Sequence, residues 1–235
     1  MLPENMNKGP KTDIKVRVKF SKTGSLKFIS HLDLNRTMQS VFIRSKLPFW
    51  YTEGFNPHPR VAFTPPLSVG VSSLTEFMDF KMIEEVEPQE IIDKLNASFP
   101  KGLRAIECYA PESHFRDIKW SLYEIKFELM HDIPEDICEK AKDILGADEI
   151  IIEKFSKKGE PKQVDIAKGI RFCNADLDGN ILTINAKLSC DEFAFVNPKY
   201  IGETLAKTMP EVFADAEEES CRVAVYLEDG ETLFK

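Results

Sequence analysis

From Ile14 to Phe20 apolar and charged residues alternate without interruption: Ile14, Val16, Val18 and Phe20 on one side, Lys15, Arg17 and Lys19 on the other. Successive side chains of an extended chain point to opposite faces, so this period of two predicts a strand with one face buried and one wet. It is the clearest strand in the sequence. The pattern returns at Tyr123, Ile125, Phe127 and Leu129, which alternate with Glu124, Lys126 and Glu128.

A helical pattern comes after each of these strands. Ser30 precedes an apolar pattern with Asp33 three residues on, a shortened capping box. Leu34, Met38, Val41, Phe42 and Ser45 then fall on one helical face and Arg36, Ser40 and Arg44 on another, with the end expected near Leu47, before Pro48. Phe49–Thr52 reads as a short strand, Glu53–Arg60 as a loop stiffened by Pro57 and Pro59, and Val61–Thr64 as extended chain. Pro65 and Pro66 confine the next stretch to an edge or bend before Glu76–Met82 alternates again. Pro88 opens a helix through Ile91, Ile92 and Leu95, and Leu103–Tyr109 is a strand. Residues 110–119 read as a boundary.

The second half repeats the plan. Pro134 introduces a helix through Ile137, Ala141, Ile144 and Leu145 that Gly146 stops. Glu149–Phe155 is a strand, Lys157–Gly159 a turn, Ile181–Leu188 a strand, Pro198 to about Met209 a helix, and Cys221–Leu227 the closing strand. The expected fold is therefore α+β, with two ferredoxin-like βαββαβ modules at residues 13–112 and 120–230, each an antiparallel sheet with helices packed on one face. The halves share no sequence identity, so the repeat is architectural.

A chain of 235 residues can bury a core in each of two such modules, and its 43% apolar and 30% charged residues are globular in character. Met1–Thr12 shows no signal-peptide pattern, and no uncharged apolar run of ~18 residues occurs, so a cytoplasmic protein with no membrane association is expected. Cys108, Cys138, Cys173, Cys190 and Cys221 are odd in number and widely spaced, which suits neither a disulfide framework nor a CxxC clamp. No HxxxH spacing, phosphate-cradling glycine fingerprint or nucleophile elbow is present, so neither a metal nor a cofactor is expected.

The net charge of −8 conceals an asymmetry: Ile14–Lys81 carries ten cations and four acids, a net +6, leaving −14 for the rest. A basic segment joined to an acidic remainder attracts an anion locally. Lys15, Arg17 and Lys19 would line the middle of a helix-free sheet face, where RNA-recognition sheets bind single strands, unless Asp79 neutralises them across the strands. His31 falls in the first turn of a helix, whose positive dipole end favours a neutral ring, and Thr23, Gly24 and Ser25 form a small loop beside that natural phosphate site. Arg36 lies one turn further on. The loop Gly54–Arg60 offers Asn56, His58 and Arg60 on a proline-stiffened backbone, with Phe55 expected to cover the edge of the core.

Three strings, Lys27-Phe28-Ile29-Ser30-His31-Leu32-Asp33-Leu34, Tyr51-Thr52-Glu53-Gly54-Phe55-Asn56-Pro57-His58-Pro59 and Leu67-Ser68-Val69-Gly70-Val71, resemble the radical-SAM-linked family of bacterial proteins. Glu153–Gly159 with Val164-Asp165-Ile166 adds a weaker match. The resemblance implies a partner, since members are fused to or encoded beside a radical S-adenosylmethionine protein. It supplies no catalytic residue, and this chain lacks the three closely spaced thiolates that such an enzyme needs for its cluster. The leading expectation is a non-catalytic protein that binds RNA or another anionic substrate for that enzyme. The alternatives are a metal-independent endoribonuclease with His31 or His58 as general base, by analogy with ferredoxin-like RNA-processing proteins of CRISPR systems, and a protein–protein adapter without nucleic-acid binding.

Overall fold

The computed structural model describes residues 14–130, 132–155, 159–191 and 194–235, with the side chain of Phe155 also outside the description. Met1–Thr12 and most of the expected Lys157–Gly159 turn therefore lie outside the described residues. The chain divides into two compact units, residues 1–115 together with Lys235 and residues 116–234.

The first unit runs β1 (Ile14–Lys22), α1 (His31–Ser45), β2 (Ala62–Phe63), β3 (Ser72–Met82), α2 (Pro88–Ser98) and β4 (Leu103–Tyr109). Strand β1 pairs antiparallel with both β3 and β4, and β2 pairs antiparallel with β3, giving the order β4-β1-β3-β2. The register sets Val16 opposite Phe80 and Val18 opposite Met78, so the apolar sides of the two strands coincide. Leu34, Met38, Val41 and Phe42 of α1 and Ile91 and Leu95 of α2 join that apolar side in one buried cluster. Both helices thus cover the Val16 face and leave the Arg17 face without a helix. Each fully buried side chain of this kind contributes about 1.5–3 kcal/mol.

Helix α1 begins where the cap pattern puts it. The Ser30 hydroxyl accepts from the Asp33 N–H at 3.1 Å and donates to the Asp33 carboxylate at 2.7 Å. The helix stops at Ser45 because Lys46 takes the left-handed conformation, φ 53°, that closes many helices.

The second unit runs β5 (Trp120–Glu128), α3 (Ile137–Leu145), β6 (Ile151–Phe155), β7 (Pro161–Asp165), β8 (Ile170–Asp178), β9 (Ile181–Ser189), α4 (Lys199–Thr208), α5 (Pro210–Phe213) and β10 (Glu217–Tyr226). Its sheet has the order β10-β5-β9-β8, antiparallel throughout, while β6 and β7 form a separate hairpin. The expected strand at Glu149–Phe155 is present but differently placed. It pairs with β7, and the position beside β9 belongs to β8, which the sequence pattern did not indicate. The reason is a bulge between Phe172 and Asn174. It shifts the partly buried positions from Phe172 to Ala175 and Leu177, and so breaks the alternation that reveals a strand.

The protein is thus a mixed α/β chain dominated by antiparallel sheet. Among the described residues, no helix is long and apolar enough to cross a membrane.

Candidate anion-binding site

The helix-free side of β1 carries Lys15, Arg17 and Lys19, as alternation requires, but the three differ in setting. Arg17 is 0% exposed. Its Nε and Nη2 donate to the two carboxylate oxygens of Asp79 at 2.7 Å each, the forked geometry that makes arginine–carboxylate pairs strong. Nη2 also donates to the Ser113 carbonyl at 2.9 Å, and Nη1 to the Lys235 carbonyl at 2.8 Å. The Phe115 ring covers the guanidinium, 4.6 Å from its carbon. Tyr109, opposite Arg17 on β4, has its hydroxyl pushed up to about 12, chiefly by burial.

The cationic stripe expected as an open binding face is therefore interrupted at its centre. Arg17 is a structural residue, because the segment after β4 folds back over it. Lys19 is half-buried in an ion pair with Glu107 at 2.8 Å, and Lys15 remains exposed opposite Lys81.

The remaining candidates lie on the turn before α1, on α1 itself and on the loop along its flank. A 3-10 turn, Gly24–Phe28, leads into the helix and presents Ser25 to solvent. It is held at one end by the Thr23 N–H, which donates to the Gly102 carbonyl at 2.8 Å, and at the other by the Gly70 N–H, which donates to the Lys27 carbonyl at 2.8 Å. The string at 67–71 is thereby fastened to the string at 27–34.

The string at 51–59 reaches the same helix from its flank. His31, Asn35 and Gln39 are spaced four apart and form one stripe of α1. His31 meets the Phe63 ring edge-on at 5.6 Å, and the Gln39 amide donates to the Pro59 carbonyl at 3.2 Å. The loop between is closed by the Thr52 N–H donating to the His58 carbonyl at 3.0 Å and the His58 N–H donating to the Thr52 hydroxyl at 3.2 Å. Asn56, His58 and Arg60 are all exposed on it. Phe55 is fully exposed at its tip, which corrects the expectation that this ring covers the edge of the core.

Two local features define the chemistry open to the rim. His58 Nδ1 lies 2.9 Å from the Asn56 carbonyl, and a carbonyl only accepts. Nδ1 therefore carries the hydrogen, and Nε2 of the neutral ring presents its lone pair. Asp33 is the second feature. Its carboxyl is held below the ordinary range, first by the Ser30 hydroxyl and also by Arg36 at 3.4 Å. An ionised carboxylate already occupies the helix start, so a phosphate meets repulsion there. The exposed cations nearest in the chain are Arg36, paired with Asp33 at 3.4 Å, and Arg60 on the loop.

Beneath the rim, Lys22, Thr64 and Glu76 are nearly fully buried, and they line a small pocket with Ser30 and His31. The Thr64 hydroxyl donates to Glu76 at 3.2 Å. Sequence reasoning passed over this cluster, although the signal was there. Lys22 continues the even-numbered buried series of β1, and Glu76 that of β3, which places two charges on a core-facing side.

Over residues 15–198 the sequence matches a family described as "Uncharacterized protein conserved in bacteria (DUF2344)". The chain belongs to this family. The matched span takes in all three strings that meet at α1. No curated protein matches the chain. Among solved structures, one chain in the crystal structure of a Cbf5-Nop10-Gar1 complex is similar, with a TM-score of 0.48 and 12% identity over 91% of this chain. The match covers 49% of that chain, so the present sequence spans about half its length, and a likeness of this degree carries no functional argument.

Proposed function

We propose that this protein is a radical-SAM-linked accessory protein of the cytoplasm. Its first unit holds RNA or another anionic substrate for a partner radical S-adenosylmethionine enzyme. The partner is inferred from the resemblance of the three strings. In this reading each unit is a ferredoxin-like module, which the first unit's βαββαβ order and its β4-β1-β3-β2 sheet support. The second unit has the same scheme once the β6–β7 hairpin is set aside as an insertion.

The observation that carries the binding role is the convergence of the three strings on one exposed rim. The cations on these segments are Lys27, Arg36 and Arg60, against the acids Asp33 and Glu53. Such a rim attracts a polyanion without burying charge, so the binding is expected to weaken with salt. Arg36→Ala combined with Arg60→Ala should lower affinity for single-stranded RNA in fluorescence anisotropy. The double variant should also flatten the salt dependence by about 0.7 in log–log slope for each phosphate no longer neutralised. Unchanged affinity and slope in this pair would count against the reading.

A second reading, a metal-independent endoribonuclease, is favoured by the exposed His58, whose Nδ1 is held by the Asn56 carbonyl and leaves Nε2 as the basic nitrogen. A base held in one tautomer by a backbone carbonyl is ready to take a proton from a ribose hydroxyl. RNA cleavage in EDTA that is lost in His58→Ala is its expected result. Full-length RNA after prolonged incubation with the unaltered protein would exclude it.

A further inference from the structure

The rim carries a feature that its charges do not explain. Phe28 is 62% exposed at the end of the 3-10 turn, and Phe55 is fully exposed at the loop tip. A large apolar ring in water gains nothing for the fold, and each of these lies on a segment fastened at both ends. The turn bearing Phe28 is held through Thr23 and Lys27, and the loop bearing Phe55 through Thr52 and His58. Their backbones are ordered before any partner arrives, which lowers the entropy cost of contact.

A cation lies beside Phe28, and two more are exposed on α1 and on the loop that bears Phe55. The Lys27 ammonium lies 5.4 Å from the centre of the Phe28 ring, Arg36 is exposed one turn along α1 from Leu32, and Arg60 stands two residues beyond His58 in the loop. Exposed rings interleaved with cations suit a single nucleic-acid strand, since its bases are unstacked and its backbone is charged. A duplex keeps its bases stacked on one another and has no use for them.

On this basis we infer that Phe28 and Phe55 are base-stacking residues and that the anionic ligand of the rim is single-stranded RNA. The inference rests on the binding role proposed for the rim and adds the ligand's form and the residues that read it. The aliphatic neighbours Leu32 and Val69, 59% and 60% exposed, extend the surface on which a base can lie. A protein partner would also use such a patch, and the three cations Lys27, Arg36 and Arg60 against two acids, Asp33 and Glu53, favour the polyanion.

The test measures binding of a fluorescein-labelled uridine-rich strand of about 12 nucleotides, and of a duplex of the same length, across a salt series. Phe28→Ala and Phe55→Ala should each weaken single-strand binding by roughly fivefold or more, the loss expected for one stacked base. The salt slope should stay unchanged, because no phosphate contact is removed. Phe28→Leu keeps apolar bulk without a π face, so it should lose affinity as the alanine variant does. Retained affinity in Phe28→Leu would mark a hydrophobic contact surface and overturn stacking. Equal single-strand affinity in both alanine variants would overturn the inference while leaving the anion-binding role in place. An unaltered protein that binds neither strand nor duplex at low salt would overturn both. Since both rings are exposed, the variants are expected to fold as the parent does, which their circular dichroism would verify.

Discussion

Arg17→Ala should destabilise the first unit by roughly 3–5 kcal/mol, the usual cost of removing one partner of a buried ion pair. The substitution strands the Asp79 carboxylate and two backbone carbonyls, and it opens a space under Phe115. Asp79 keeps 27% of its side-chain exposure, so water can recover part of the loss and the effect belongs near the lower end of that range. Urea unfolding followed by Trp50 fluorescence in a Trp120→Phe background would read it, since these are the chain's two tryptophans. The paired change Arg17→Met with Asp79→Leu should restore much of the loss, because it removes both charges together. A single Arg17→Ala variant as stable as its parent would mean that the guanidinium stands in water and that the helix-free face is open at its centre.

Gly102→Ala is the second large effect expected, at roughly 2–4 kcal/mol from backbone strain and overpacking together. Gly102 has φ +101°, and a Cβ there would lie 2.6 Å from the Thr23 carbonyl oxygen, an atom of backbone that has no side-chain rotation to escape by. The same residue accepts the Thr23 N–H that fastens the Gly24–Phe28 turn, so a shift should reach the rim and lower the RNA affinity proposed for it as well as stability. Gly24→Ala serves as the comparison: φ is +61° with nothing within 4 Å, which leaves only the left-handed penalty of about 1–2 kcal/mol. If the two variants lose the same stability, the close approach at Gly102 is not what holds the turn.

Much of the first unit was legible because its signals are local. Alternation from Ile14 to Phe20, the Ser30 cap and the apolar stripe from Leu34 to Ser45 each depend on residues within a turn or a few positions of one another. Strand β4 and helix α2 were readable for the same reason, with Pro88 marking the helix start. In the second unit the rule failed where a bulge reversed the phase, at Phe172 and Asn174, and β8 disappeared from view.

The candidate site shows the same division. Ser25, His31, Arg36, Asn56, His58 and Arg60 are exposed. Their meeting was not readable, because it depends on the Gly70–Lys27 and Gln39–Pro59 bonds, and nothing in either string specifies its partner. Phe55 looked like a ring for the core because apolar residues usually are, and only the closed geometry of its loop puts it in solvent.

The sequence by itself determined the elements of the first unit and most of those of the second, with the apolar face of each, since propensity, capping and periodicity act between near neighbours. The tertiary structure alone decided the fate of charge. Lys15, Arg17 and Lys19 are equivalent in pattern, yet Arg17 is buried by Asp79 and by Ser113 and Phe115. Those partners lie 62 or more positions away in the chain. Burial and pairing are set by whatever the fold brings within a few ångströms, and that information is spread over the whole unit.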